Sequence, residues 1–173
     1  MTTEQSSSDR GLFSLSQIQH LMRVEFNRAQ RYGYPIVCML VSLDRLGHLR
    51  DLYGYDAKES ILDGVISLLK VQTRTSDFLG RMADDRLLAV VPHTSPEGAE
   101  RLGRRLLAGA RELDFAADGR AIQITLSIGA SHNAGGATLF FDAMLQSAEE
   151  ALVDASQAGG DRYLAYEPGA QGG

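Results

Sequence analysis

The stretch that most constrains this chain is Ile36–Leu43, IVCMLVSL, in which seven of eight residues are apolar. It has the length of a strand and no alternation of apolar and polar positions. A strand of this kind must be covered on both faces, which places it in the middle of a sheet with helices on either side. Its borders are sharp. Tyr32-Gly33-Tyr34-Pro35 precedes it, and glycine accepts a left-handed helix cap while proline cannot continue a helix. The segment before that stop, 14–32, carries Leu15, Ile18, Leu21, Met22, Phe26 and Ala29 at a spacing of three or four, so it is predicted to be a helix.

Downstream, 45–52 reads as a short helix closed by Tyr53-Gly54-Tyr55. Asp56 is the expected N-cap of the next helix, with Glu59 completing a capping box. That helix runs to Val71 on a stripe of Ile61, Leu62, Val65, Ile66, Leu68 and Leu69. A β-hairpin follows: a short element at 78–82, a tight turn at Ala83-Asp84-Asp85, and an apolar strand at 87–91. Ser95 caps a helix that buries Ala99, Leu102, Leu106, Ala110 and Leu113. After a turn at Ala117-Asp118-Gly119, the residues Ile122, Ile124, Leu126 and Ile128 stand at a period of two, which predicts a half-buried strand. A loop at 133–136, a helix carrying Phe141 to Ala155, a stop at Gly159-Gly160 and a last strand over Arg162–Tyr166 complete the order. The expected fold class is therefore α/β (α+β): one domain over 14–166, a mixed sheet covered by helices, with 14–33 as an N-terminal helix. Residues 1–13 are expected to be a disordered segment and 167–173 a flexible tail.

Charge and chemistry remove several function classes. A net charge of −5 gives no broad basic face for nucleic acid. No apolar run approaches the roughly 20 residues of a membrane span, and MTTEQSSSDR lacks the apolar centre of a signal peptide. The single cysteine, Cys38, forms no intramolecular disulfide and suits a reducing, cytoplasmic setting. His20, His48, His93 and His132 form no i, i+4 pair, so no metal site is expected, and no cofactor. There is no P-loop, no G-x-S-x-G and no G-x-G-x-x-G. Asp84 and Asp85 are adjacent, which on a strand sends them to opposite faces, and Arg86 beside them is expected to neutralise part of any site.

Four segments in order resemble the GGDEF domains of bacterial diguanylate cyclases. Leu43-Asp44 followed by Asp51-x-Tyr53-Gly54-Tyr55 resembles D-x-D-x-F-K-x-x-N-D-x-Y-G-H. Arg81-x-Ala83-Asp84-Asp85-Arg86-Leu87-Leu88-Ala89-Val90-Val91-Pro92 stands where R-x-G-G-D-E-F-A-V-L-L-P belongs. Thr125-Leu126-Ser127-Ile128-Gly129-Ala130 resembles V-T-V-S-I-G-V, and Ala151-Leu152 with 155–162 resembles A-L-Y-x-A-K-x-x-G-R-N-R. The likeness covers roughly residues 20–166. It implies a central sheet of about five strands, mostly antiparallel, related to nucleotidyl cyclases and the polymerase palm.

The resemblance also implies where chemistry would sit. Of the two metal-holding carboxylates, one position is Ser42 and the other is Asp85, while the fourth signature position is Arg86. The two signature glycines, which let the backbone approach GTP, are Ala83 and Asp84. The guanine-reading Asn falls on Arg50 and the guanine-reading Asp on Glu59; the phosphate-binding positions fall on Gly47, Ser156 and Gly160. On that reading the signature is degenerate and the chain is expected not to be an enzyme. The product-binding R-x-x-D that lies five residues before the signature is present as Arg74-Thr75-Ser76-Asp77, and Arg105, or Arg104 beside it, stands near the position of a further arginine. An arginine fork can bond guanine O6 and N7, and a carboxylate can accept from guanine N1 and N2. The expectation is a catalytically inactive receptor for cyclic di-GMP in bacterial signalling, with a ligand-induced homodimer or a protein partner possible and no nucleic acid or membrane. The rival is a nucleotide-independent interaction scaffold, using the helix at 14–32 or the tip Asp84-Asp85-Arg86.

Overall fold

The computed structural model describes residues 12–133 and 140–168. The expected N-terminal disorder before residue 12, most of the loop at 133–136 and the end of the tail lie outside the described residues. The described chain runs α1 (Leu15–Tyr32), β1 (Ile36–Leu43), α2 (Leu46–Tyr53), α3 (Tyr55–Gln72), β2 (Phe78–Arg81), β3 (Leu87–Pro92), α4 (Pro96–Arg111), β4 (Phe115–Ala117), β5 (Arg120–Ile122), β6 (Leu126–His132), α5 (Phe141–Gln157) and β7 (Arg162–Tyr166).

The apolar run becomes the middle strand. The main sheet has five strands in the order β2-β3-β1-β6-β7, antiparallel throughout except for β6 with β7. The period of two in β1 divides two cores. Val37, Met39, Val41 and Leu43 face α3 and α4, together with Ile61, Leu62, Val65, Leu102 and Leu106. Ile36, Cys38 and Leu40 face α1 and α5, with Met22, Phe26, Met144 and Leu152. Helices therefore cover both faces, as a strand with no polar side demands. Cys38 is free and fully buried, and burial pushes its thiol pKa far up, so it acts as core.

Local signals explain the ends of these elements. Ser14 Oγ accepts from Gln17 N–H and Gln17 Oε1 accepts from Ser14 N–H, a capping box that starts α1; Gly33 at φ +73° ends it. Ser95 Oγ accepts from Gly98 N–H at 3.1 Å and starts α4. The expected cap at Asp56 is not formed. The helix α3 begins two residues earlier than that cap implies: its N-cap is Gly54 at φ +92° with no side-chain bond, leaving Asp56 in the first turn.

A second departure lies at 122–128. Ile122 ends the small β4–β5 hairpin, and the strand begins only at Leu126. Nor is β6 half-buried: six of its seven residues are buried. Ser127, Gly129 and Ser131 read as the polar side of an alternating strand, but they are small, and small residues let a helix rest directly on the sheet. A Cβ at Gly129 would lie 2.2 Å from Leu152 N and 2.3 Å from the Ala148 carbonyl oxygen of α5.

Candidate functional site

Three places hold the residues singled out above. The first is the turn between α3 and β2. After Thr73 caps α3, Asp77 N–H donates to the Arg74 carbonyl (3.0 Å), while Arg74 N–H donates to Asp77 Oδ2 (2.8 Å). This reciprocal pair fixes the R-x-x-D segment as a turn. The Arg74 guanidinium uses one nitrogen, Nη2, to reach the Pro92 carbonyl (2.8 Å), Thr94 Oγ1 (2.7 Å) and, at 3.5 Å, Asp77 Oδ1. Its side chain is 54% exposed, and the Nε and Nη1 hydrogens meet no acceptor among the described residues. Asp77 behaves differently from the sequence expectation: its side chain is only 3% exposed. Its oxygens face the turn and not solvent, because they close the bond to Arg74 N–H. Arg105 reaches the same shoulder, donating from Nε to Gln72 Oε1 at 3.1 Å, whereas Arg104 turns to Glu100 on its own helix.

The second place is the hairpin tip. Asp85 sits at φ +68°, in the left-handed region that aspartate tolerates in turns. Its Oδ2 is 2.6 Å from Lys58 Nζ and its Oδ1 is 2.8 Å from Arg81 Nη2. Glu59 joins them, 3.2 Å from both Lys58 Nζ and Arg81 Nη2. Burial alone would raise the Asp85 pKa, but the hydrogen bonds and charges of Lys58 and Arg81 outweigh it and hold the carboxyl below its ordinary value. Its bond to Asp85 likewise raises Lys58, against the opposing effect of burial. The expected neutraliser of Asp85, Arg86, is elsewhere: it bonds Asp84 Oδ2 at 2.7 Å and lies 3.6 Å from Glu149. The cause is the turn, which sends the two aspartates apart. Ala83 and Asp84 are exposed at the tip. Lys58 carries no sequence signal for this role, because it lies on α3, far from the hairpin in the chain, and meets Asp85 only through the fold.

The third place is the end of β1. Ser42 lies opposite Ser127 of β6, outside the tip cluster. Asp44 accepts from Thr125 Oγ1 (2.7 Å), Ser127 Oγ (2.6 Å) and Asp161 N–H (2.9 Å), so it ties β1, β6 and the α5–β7 turn together. Gly160 is needed there, since a Cβ would fall 2.6 Å from Asp44 Oδ2. A pocket of about 340 Å³ opens beside this corner, lined by Arg45, His48, Leu52 and Tyr53 among others. Arg50, on α2, is half-exposed and pairs with Asp51.

The sequence profile described as "Diguanylate cyclase, GGDEF domain" matches residues 11–162. The chain belongs to the GGDEF family. Among similar curated proteins, the diguanylate cyclase DgcP of Pseudomonas aeruginosa is 26% identical over 152 residues, 88% of this chain and 22% of that protein. The diguanylate cyclase DosC of Escherichia coli is 27% identical over 143 residues, 82% of this chain and 31% of that protein. This GGDEF domain thus spans roughly a fifth to a third of those two relatives. Among solved structures, the GGDEF domain of DgcB from Caulobacter crescentus, in complex with cyclic di-GMP, superposes with a TM-score of 0.84 at 14% identity, covering 95% of this chain and 98% of that one.

These comparisons correct one expectation. The altered signature suggested that the chain is not an enzyme, yet the matching profile and the relatives are those of diguanylate cyclases. The three changed residues of the turn, Ala83, Asp84 and Arg86, leave the surrounding fold that of the family. The implied divalent metal is a different matter. Each Asp85 oxygen already faces a cationic side chain, the companion position is the hydroxyl of Ser42, and among the described residues no group of three His, Cys, Asp or Glu could hold a metal ion. As arranged, these residues do not fit a divalent cation. Among the described residues no helix is long and apolar enough to cross a membrane.

Proposed function

We propose that this GGDEF domain binds cyclic di-GMP on the shoulder formed by Arg74 and Arg105, as a receptor in bacterial second-messenger signalling. The observation that carries the reading is the exposure of Arg74. Nη2 anchors the side chain to Pro92 and Thr94, while Nε and Nη1 meet no acceptor among the described residues and the side chain is 54% exposed. Nε and Nη1 lie on opposite sides of the guanidinium, and each offers a hydrogen to a guanine or phosphate oxygen; the planar fork for O6 and N7 together uses Nη2, and forms when guanine displaces its present acceptors. Arg105 adds a second cation beside Gln72. Asp77 acts in this reading as a positioning residue: it holds the turn from which Arg74 projects. The ligand recorded with the DgcB domain supports the choice of nucleotide.

Guanine recognition distinguishes this proposal from a general anion site. Cyclic di-GMP should raise the melting temperature of the purified chain, the stabilisation growing with the logarithm of its concentration above the Kd, as for any ligand selective for the folded state. Cyclic di-AMP, which has the same phosphates and no O6 acceptor, should not. Equal shifts with both would reject guanine reading.

A second reading, turnover of GTP, is favoured by the relatives being diguanylate cyclases. Cyclic di-GMP formed from GTP by the purified chain would establish it. The scaffold alternative gains little from α1, whose Ile18, Met22, Phe26 and Ala29 are buried against this chain's own sheet.

A further inference from the structure

We propose that Lys58 is a resident counter-ion: its ammonium holds Asp85 where a divalent cation would otherwise stand, and so keeps metal off the hairpin tip. This inference does not depend on the Arg74 shoulder. Three observations carry it. The Nζ of Lys58 lies 2.6 Å from Asp85 Oδ2 and 3.2 Å from Glu59 Oε1, so one ammonium bridges two carboxylates. Arg81 takes the other Asp85 oxygen at 2.8 Å and also reaches Glu59. Lys58 is itself only 9% exposed, with its ammonium 5.2 Å from the centre of the Tyr55 ring.

The four groups carry two positive and two negative charges, and their net charge is zero. Magnesium needs oxygen ligands at about 2.0–2.1 Å in near-octahedral array and gives up its waters reluctantly. To reach Asp85 it would have to expel an ammonium from between two carboxylates. Lys58 would then be left buried without its partners, which is strongly unfavourable. Removing the lysine charge reverses the situation: Asp85 and Glu59 would both face the space that Nζ now fills.

Manganous ion is the probe, added to the full chain and followed by the electron paramagnetic resonance of free Mn²⁺. The native chain and Asp85→Asn should bind it equally weakly. Lys58→Met should gain one saturable site at least tenfold tighter than anything on the native chain, and Lys58→Met combined with Asp85→Asn should lose it. A native site abolished by Asp85→Asn would overturn the proposal, as would a folded Lys58→Met chain with no gain. If the variants do not fold, the native chain still decides by NMR. Mn²⁺ broadening centred on residues 58–59 and 82–86 refutes the inference; its absence there supports it. Magnesium-dependent synthesis of cyclic di-GMP that requires Asp85 would also refute it.

Discussion

Asp77 separates positioning from direct recognition, and two substitutions there tell the roles apart. Asp77→Ala removes the acceptor of Arg74 N–H, now bonded at 2.8 Å. A lost cap of that kind costs about 1 kcal/mol, within a range of about 0.5–2. The charge contact to the guanidinium adds little: it is 3.5 Å long and Arg74 is 54% exposed, so solvent screening leaves a few tenths of a kcal/mol at most. The expected total is about 1–2 kcal/mol, or a fall in melting temperature of roughly 2–8 °C for a domain of this size. Asp77→Asn keeps an oxygen for the N–H and should cost no more than about 1 kcal/mol. Urea melts of both variants check these values. For cyclic di-GMP, a positioning role gives Asp77→Asn an affinity within about threefold of native, while Asp77→Ala weakens binding about tenfold, equivalent to about 1.4 kcal/mol. If Asp77→Asn keeps the fold but loses binding as fully as Asp77→Ala, the carboxylate itself reads the guanine N–H groups and the positioning role is wrong.

Two further outcomes follow from the packing and charge. The ion cluster at the tip makes stability depend on pH at both extremes. Asp85 is held below its ordinary 3.8, so its contribution is present above that value and is lost as pH falls through the folded pKa. Lys58 is raised above 10.5, so its contribution is present below that value and is lost as pH rises through the folded pKa. The urea midpoint should therefore be level across the intervening range as far as these groups are concerned, and Asp85→Asn should remove part of the acid-side fall. Gly129→Ala should destabilise the chain by about 1–3 kcal/mol or more, since the added methyl meets backbone atoms of α5 that cannot swing aside; a melt within about 0.5 kcal/mol of native would mean that α5 does not rest on β6 as described.

Much of the fold could be read from the chain because its signals are local and strong. The run at Ile36–Leu43 and the Gly33 and Ser95 caps coincide with the elements they announce. The strand β6 was harder to place, because serine and glycine look like a solvent face when in fact their size admits a helix. Only the contact with Leu152 and Ala148 reveals that, and it comes from residues about twenty positions away. The site follows the same division. Arg74, Asp77 and Arg105 stand out in the sequence as candidates by motif and spacing, and in the structure Arg105 donates to Gln72 near that turn. That Asp77 turns inward depends on a hydrogen bond to a backbone N–H, which composition does not encode. The partner of Asp85 was misjudged for a related reason. Sequence adjacency pointed to Arg86, whereas the folded turn delivers Lys58 from a helix 27 residues earlier and Arg81 from across the hairpin.

The most direct measurement is a calorimetric titration of the purified chain with cyclic di-GMP, beside Arg74→Ala and Arg74→Lys. The expected result is saturable micromolar binding by the native chain, weakened at least tenfold in both variants, because lysine has charge but no planar fork. No heat from a folded native chain, or heats that both variants reproduce unchanged, would contradict the assignment of this shoulder to the nucleotide.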